Sequence, residues 1–218
     1  MQGILNNLTP ERRLATLFDL FDNVLVTSSF GASAIYLLHL VQRVRPGHPI
    51  YFLDTGYHFD ETHAYRQRLA QQYGFNIQII RPDADAHQAT REAQLWATDP
   101  DACCAVNKVA PMDELVRNGG HDLWLSGLMN WQSPQRQQRH LLEHDGRILK
   151  AYPILDVSPE DVQGYLQAHS LPVHPLVYAG YASIGCTHCT QPGQGREGRW
   201  AGTAKTECGL HRKVQVKA

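Results

Sequence analysis

Short apolar runs alternate with stretches of helical period through the first two-thirds of the chain. Asn23–Ser28 (NVLVTS) is brief and rich in β-branched residues, as a buried strand should be. Ala34–Val44 follows with Ile35, Leu37, Leu38, Val41 and Val44 on one 3.6-residue face, which predicts a helix. Pro49–Asp54 reads as a second strand, His58–Tyr73 as a polar helix ended by Gly74, and Asn76–Arg81 as a third strand stopped by Pro82. A helix is predicted near Lys108–Asn118, a fourth strand at Asp122–Ser126 and a fifth at Leu149–Ile154. Asp156–Ala168 is predicted helical, opening at Ser158-Pro159-Glu160-Asp161 with a hydroxyl cap and a proline that fits the first turn. Strands alternating with helices imply an α/β fold, a parallel sheet flanked by helices on both faces. From Gly180 onward the pattern stops and Gly and Pro become dense. The expectation is a single domain over residues 1–218, with an N-terminal helical segment at 1–22 and a site-bearing C-terminal extension.

Composition narrows the class. The 218 residues can bury a full core, and 43% apolar with 19% charged residues is ordinary for a globular protein. The net charge of −1 gives no global field favouring nucleic acid or membrane, and neither is expected as a partner. No apolar run approaches bilayer length, and Met1–Pro10 lacks a signal-peptide pattern, so a cytoplasmic location is expected. Positive charge gathers late: Arg196, Arg199, Lys205, Arg212, Lys213 and Lys217 stand against only Glu197 and Glu207. Such a stretch is either a solvated tail or a segment that folds over an anion. The twelve histidines are scattered, and Trp96, Trp124 and Trp131 read as packing residues.

Ligands of open parallel sheets bind beyond the carboxyl ends of the strands. Thr27-Ser28-Ser29-Phe30-Gly31-Ala32-Ser33 joins the first strand to a helix, and its small and hydroxyl residues let backbone N–H groups approach an anion. No Gly-Lys-Ser/Thr follows, so it is not a Walker A loop. A plain helix cap would look much the same. At the second strand end, Asp54 is placed either to hold a ribose hydroxyl or to turn the chain.

There are five cysteines: Cys103, Cys104, Cys186, Cys189 and Cys208. An odd number makes a poor disulfide framework. Cys103-Cys104 and Cys186-Thr187-His188-Cys189 together offer four thiolates, which suit a structural zinc or an iron–sulfur cluster. Adjacent cysteines would have to splay from one backbone kink, which leans toward a cluster and leaves zinc open. Cys208 has no partner left, and Lys205, His211 and Arg212 beside it would favour a nucleophilic thiolate.

Glu207-Cys208-Gly209-Leu210-His211, with Cys-Cys and Cys-x-x-Cys upstream, resembles the assimilatory sulfonucleotide reductases. These reduce adenosine 5′-phosphosulfate (APS) or its 3′-phosphorylated form (PAPS) to sulfite. Ser28-Ser29-Phe30-Gly31, Leu53-Asp54-Thr55-Gly56, Gly127 with Gln132-Ser133-Pro134, and Arg196-Glu197-Gly198-Arg199-Trp200 fall in the same order. The resemblance spans about Thr27 to His211 and implies an adenine-nucleotide α-hydrolase-like fold. It implies that Cys208 attacks the sulfur, AMP leaves, and thioredoxin or a glutaredoxin-like dithiol releases sulfite from an S-sulfo-cysteine. It further implies a 4Fe-4S cluster on Cys103, Cys104, Cys186 and Cys189, and a homo-oligomer. Lys108, Arg136, Arg196 and Arg199 would surround the phosphosulfate, with His211 beside it. Ser28, Ser29, Gly31, Ser33, Asp54 and Gly127 would line the nucleotide. Residues 190–218 are expected to be mobile, because Cys208 must meet substrate and dithiol in turn.

Two departures from the family bear on substrate. Many relatives carry Leu-Arg-Arg where this chain has Leu128-Met129-Asn130, so Arg136 or Arg139 would have to compensate. Cluster-bearing relatives often have Arg-Lys where Asn107-Lys108 stands, a pair resembling the cluster-free PAPS reductases. The cysteines favour APS, Asn107 favours PAPS, and APS is the expected substrate with PAPS or dual use open. A related class, the ATP pyrophosphatases and tRNA thiolases, needs an acid in the first loop that Ser29–Ala34 lacks. A zinc-bound nucleic-acid module would not explain Cys208.

Overall fold

A computed structural model describes residues 1–211. Two helices, α1 (Gln2–Asn6) and α2 (Pro10–Leu20), precede β1 (Val24–Ser28). Then come α3 (Ala34–Val44), β2 (Ile50–Leu53), α4 (Asp60–Tyr73) and β3 (Ile77–Ile80). A helical stretch of α5 (Ala84–Glu92), α6 (Leu95–Thr98), α7 (Pro100–Cys104), a π-turn (Ala105–Val109) and α8 (Ala110–Asn118) leads to β4 (Leu123–Leu125). The chain continues through α9 (Pro134–Gln137), β5 (Leu142–His144), β6 (Leu149–Ala151) and α10 (Pro159–Ala168).

The six strands form one sheet in the order β3-β2-β1-β4-β6-β5, parallel except for β5 against β6. Period-two alternation sorts the strand residues onto two faces. Val24, Val26, Ile50, Phe52, Leu123, Leu125 and Ala151 pack in one core with Leu14, Leu17, Leu37, Leu38 and Leu166 from the helices. On the other face Leu25, Trp124 and Ile148 meet Met112 of α8. The α4 helix ends at Gly74 in a left-handed conformation, φ 67°, and Ser158 caps α10 by accepting from the Asp161 amide at 3.0 Å, as the sequence predicts.

Three features differ from expectation. The stretch expected to be helical near Lys108 is helical from Pro100, and α7 runs through the π-turn into α8 without a break. Cys103 and Cys104 are therefore successive residues of a helix, not a splayed pair at a bend. The stretch before it is also helical: α5 buries only Thr90, so it has no apolar stripe to read. The β5 hairpin was not expected, since Leu142-Glu143-His144 carries no β-branched residue and sits at a sheet edge. Residues 181–211 hold one short 3-10 helix, Thr187–Cys189, several turns, and isolated bridges such as Thr190 with Arg199.

Candidate active site

β1 lies between β2, reached through α3, and β4, reached by the long crossover from β3. A crevice forms where the strand order reverses, and there the carboxyl ends of β1 and β4 open into a cavity. Thr27, Ser28, Ser29, Gly31 and Ser33 line it from the β1–α3 loop, and Ser126 and Gly127 from beyond β4. The loop is shaped by Phe30, a non-glycine residue at φ 51°. Its amide donates to Ser28 Oγ at 3.0 Å, and its buried ring sits edge-on to Phe52 at 5.6 Å. The ring in the core sustains that strained turn and leaves the loop's small residues at the cavity wall. Ser33 precedes α3 without using its side chain as a cap.

Asp54 does not line this cavity. Its Oδ1 accepts from the Gly56 amide at 3.1 Å and its Oδ2 lies 3.5 Å from Arg81, so it turns the chain after β2. His58, expected at the start of a helix, lies before α4 and lines the wall instead. Its Nε2 bonds the Leu53 carbonyl at 3.0 Å and so carries the proton; the buried Nδ1 has no partner among the described residues. Burial pushes its pKa down to about 4, so it presents an acceptor to a ligand.

The basic residues divide into two pairs. Arg136 grips Glu207 through Nε at 2.7 Å and Nη2 at 3.1 Å, and Arg196 Nη2 reaches the same carboxylate at 3.1 Å. Burial would raise the Glu207 carboxyl, but the Arg136 bonds and the flanking guanidinium charges hold it below its ordinary value. Burial, with Arg136 opposing, brings Arg196 down to about 10. The Arg199 guanidinium fills the space beside Gly185 and stands over the Trp200 ring at 4.5 Å. Lys108 is buried within the π-turn, a device that recurs at functional sites. It lines both this cavity and a smaller one formed by the cysteines. Burial would lower its pKa, yet the negative charge that Cys186, Cys104 and Cys208 bear as thiolates carries it above the ordinary lysine value. The missing arginines leave Met129 in the core and Asn130 in a turn. Arg136 lines the cavity, whereas Arg139 pairs with Glu143 at 2.6 Å and lines a separate cleft.

Cys208, half-buried, lines the cavity and packs against the cluster that the four other cysteines form with Tyr57 and Trp200. Gly209 follows at φ 94°, and a Cβ there would come within 3.2 Å of Val109. His211 is not the cation expected beside the thiol. Burial, with Lys150 and three arginines opposing charge, holds its pKa well below the ordinary value, so the imidazole is neutral. Lys205 turns to Asp101, and Arg212 lies outside the described residues.

Cys103, Cys104, Cys186 and Cys189 are all buried and line the smaller cavity with Tyr57, Trp96, Asn107 and His188. Thr55 Oγ1 lies 3.3 Å from Cys186 Sγ. Burial would raise the Cys186 thiol, but Lys108 and Thr55 bring it below the ordinary value. Burial pushes Cys103 up to about 11 and raises Cys104 and Cys189. Asn107 Nδ2 donates to the Cys103 carbonyl at 2.9 Å and to Thr90 Oγ1 at 3.1 Å, and reaches Cys103 Sγ at 3.6 Å. It is outside the lining of the larger cavity, so it belongs to the thiol site and not to the nucleotide side. Among the described residues, no three His, Cys, Asp or Glu side chains converge as ligands of one ion. Four buried thiols around one cavity, with an ammonium beside them, nevertheless fit the donor set of an iron–sulfur cluster.

A switch-point cavity with a basic rim, a half-buried thiol and a neighbouring set of thiols defines an α/β protein built to do sulfur chemistry on an anionic nucleotide. The family profile of the phosphoadenosine phosphosulfate reductase domain matches residues 23–192, and the chain belongs to that family. It is 44% identical over 183 residues to an adenosine 5′-phosphosulfate reductase of Rhodococcus opacus (strain B4), covering 80% of this chain and 73% of the relative. It is 40% identical over 207 residues to one of Mesorhizobium japonicum, covering 92% and 80%. The phosphoadenylyl-sulfate reductase of Candida auris, solved as a phosphate complex, superposes with a TM-score of 0.76 at 24% identity, over 87% of this chain and 94% of that one. The fold is also that of Candida glabrata FMN adenylyltransferase, TM-score 0.61 at 16% identity, over 88% and 65%.

Proposed function

We propose that the protein reduces APS to sulfite and AMP in assimilatory sulfate reduction, with Cys208 as nucleophile. The observation that carries this is the place of Cys208, on a strand-end cavity whose basic rim includes Lys108, a residue shared with the four-thiol cavity. The nucleotide lies along Ser28, Ser29, Gly31, Ser33 and Gly127, and the phosphosulfate faces Lys108, Arg199, Arg196 and Arg136. The Cys208 thiolate attacks sulfur, the bond from sulfur to the bridging phosphate oxygen breaks, and AMP departs with that electron pair. The cations stabilise charge as it moves onto the phosphate. An S-sulfo-cysteine remains. A dithiol protein, thioredoxin or a glutaredoxin-like donor, attacks the Cys208 sulfur and expels sulfite. Its second thiol closes a disulfide and restores Cys208, so two electrons pass from dithiol to product.

Cys103, Cys104, Cys186 and Cys189 hold a 4Fe-4S cluster, whose positive irons would compensate four thiolates that burial otherwise disfavours. The reading for APS over PAPS is supported by the names of the relatives and by charge. Met129 and Asn130 offer no cation for a further phosphate, Arg139 is paired elsewhere, and Asn107 faces the thiols. Five cysteines with no disulfide among them accord with a reducing, cytoplasmic setting. Of the segment 190–218, residues 212–218 lie outside the described residues; residues 190–211 move between substrate and dithiol, and their attachment by side-chain bonds and scattered backbone bonds in place of a strand ladder supports this.

The test is anaerobic purification, iron and sulfide analysis, then rapid mixing with APS or PAPS and mass analysis of the cysteines. The expected result is brown protein with one sulfonate on Cys208, formed faster from APS, and none in Cys208→Ser. Faster sulfonation by PAPS overturns the substrate; sulfonation that survives in Cys208→Ser overturns the nucleophile.

A further inference from the structure

The carboxyl side of Cys208 is fastened by an unusual residue. Lys150 stands on β6, a strand paired on both sides, in register with Trp124 of β4. The same row continues to Leu25 of β1, so its position is one that an apolar side chain would ordinarily fill. Lys150 is 3% exposed. Its ammonium has three donors and a use for each. Nζ lies 2.6 Å from Asp145 Oδ2, donates to the Leu210 carbonyl at 2.9 Å, and sits 4.4 Å from the centroid of the Trp124 ring. Trp124 is itself aimed by its Nε1–H, which donates to Thr27 Oγ1 at 2.8 Å on the cavity wall. It therefore does more than the packing expected of it. Asp145 is held in place by Arg147 at 3.0 Å and by the Ile148 amide at 3.2 Å.

A buried ion pair is costly compared with apolar packing of the same volume, so its presence on a strand paired on both sides calls for a task that packing cannot do. Leu210 supplies the task. It lies two residues beyond Cys208, in a stretch with no helix or strand ladder to hold it. On the other side of Cys208, Glu207 is gripped by Arg136 and Arg196, whose guanidinium groups substrate would also claim. The Lys150 contact uses only a backbone carbonyl, and Lys150 is outside the lining of the cavity. It can therefore persist while an anion rearranges the arginines.

We infer that Lys150 is a positioning residue for the reaction, clamping the Leu210 carbonyl so that Cys208 is seated over the nucleotide cavity at the moment of attack. This rests on the reading of Cys208 as nucleophile. Misplacement of a nucleophile by about an ångström costs up to about a hundredfold in rate. Lys150→Met keeps the apolar stem and removes the donors. It should slow sulfonation of Cys208 in a single turnover at saturating APS by about ten- to a hundredfold. The dissociation constant for AMP should stay within about twofold, and alkylation of Cys208 by iodoacetamide should become faster. Lys150→Arg should recover part of the rate, and Asp145→Asn, which weakens the anchor without emptying it, should fall between wild type and Lys150→Met. The Asp145→Asn variant carries the test if Lys150→Met does not fold. Sulfonation and alkylation rates unchanged in a folded variant would overturn the clamp. So would a loss of AMP affinity equal to the loss of rate. If wild-type Cys208 takes up no sulfonate, the nucleophile reading fails, and the alkylation rates still report whether Lys150 seats the segment.

Discussion

Gly185 and Gly198 stand in the same glycine-rich stretch, and what lies above each differs in kind. A Cβ on Gly185 would overlap the guanidinium of Arg199, the mobile end of a side chain. A Cβ on Gly198 would run into the carbonyl group of Gln191, which is backbone. Gly185→Ala is therefore expected to leave stability within about 0.5 kcal/mol, because Arg199 can swing aside. It should lower kcat/KM for APS by about tenfold, because the displaced cation is one that we propose faces the phosphosulfate. Gly198→Ala should instead lose about 1–3 kcal/mol, the usual cost of forcing atoms into a filled space. Thermal melts and steady-state kinetics on the two variants separate the effects; equal loss of stability in both would show that Arg199 is as fixed as a backbone group. Both glycines are visible in the sequence, Gly198 within the Arg196–Trp200 motif. What the sequence does not carry is the identity of the neighbour, which comes from a bridge between Thr190 and Arg199 that no periodicity announces.

Among elements, legibility followed burial. α3 buries six residues, among them the consecutive Ile35, Tyr36, Leu37 and Leu38, so most of its circumference is covered, and its predicted and observed bounds coincide. α5 buries one residue, so nothing in its pattern distinguishes it from a loop. The π-turn is invisible for another reason: it changes the angular step between residues without any composition of its own, and it brings Asn107 and Lys108 both inward. The site was legible as residue types in order, since loops after β1 and β4 lie at one switch point whatever their details. His58 and the two-sided fastening of Cys208 were not, because each depends on an unmatched or matched hydrogen bond. The N-terminal helices illustrate fastening by one side chain. Arg13 of α2 is 4% exposed and donates to the Leu5 carbonyl at 2.8 Å, the Pro153 carbonyl at 3.1 Å and Asp156 Oδ2 at 2.8 Å. Arg13→Leu leaves those acceptors unmatched and should cost about 2–3 kcal/mol. No residue of α1 or α2 lines the cavity, so kcat/KM below the melting transition should be unchanged. Urea unfolding measures the loss; an undiminished midpoint would mean that α1 and α2 dock without Arg13.

On the scale of the whole molecule, buried neutral histidines couple folding to pH, and His174 is the one placed to show it. It is fully buried, and it joins the turn after α10 to α4. Nδ1 accepts from the Leu176 amide at 3.2 Å, so Nε2 carries the proton and donates to Thr62 Oγ1 at 3.0 Å. A second proton would have to enter at Nδ1, against an N–H that already points there. Burial accordingly brings the pKa down to about 4. In the unfolded chain it returns to about 6.5. Between those values the unfolded state binds a proton that the folded state refuses, so stability falls as pH falls through that window, by about 1.4 kcal/mol per pH unit for this one group. Above about 6.5 neither state is charged and the effect vanishes. Other histidines are shifted the same way, among them His48 and His121. The comparison that isolates His174 is therefore between wild type and His174→Gln across pH 7 to 5, both purified alike. Gln can retain an acceptor and a donor but cannot titrate, so the stability advantage of wild type should shrink steadily as pH falls from about 6.5. Two parallel curves would show that the Thr62–His174–Leu176 chain accepts a proton without opening.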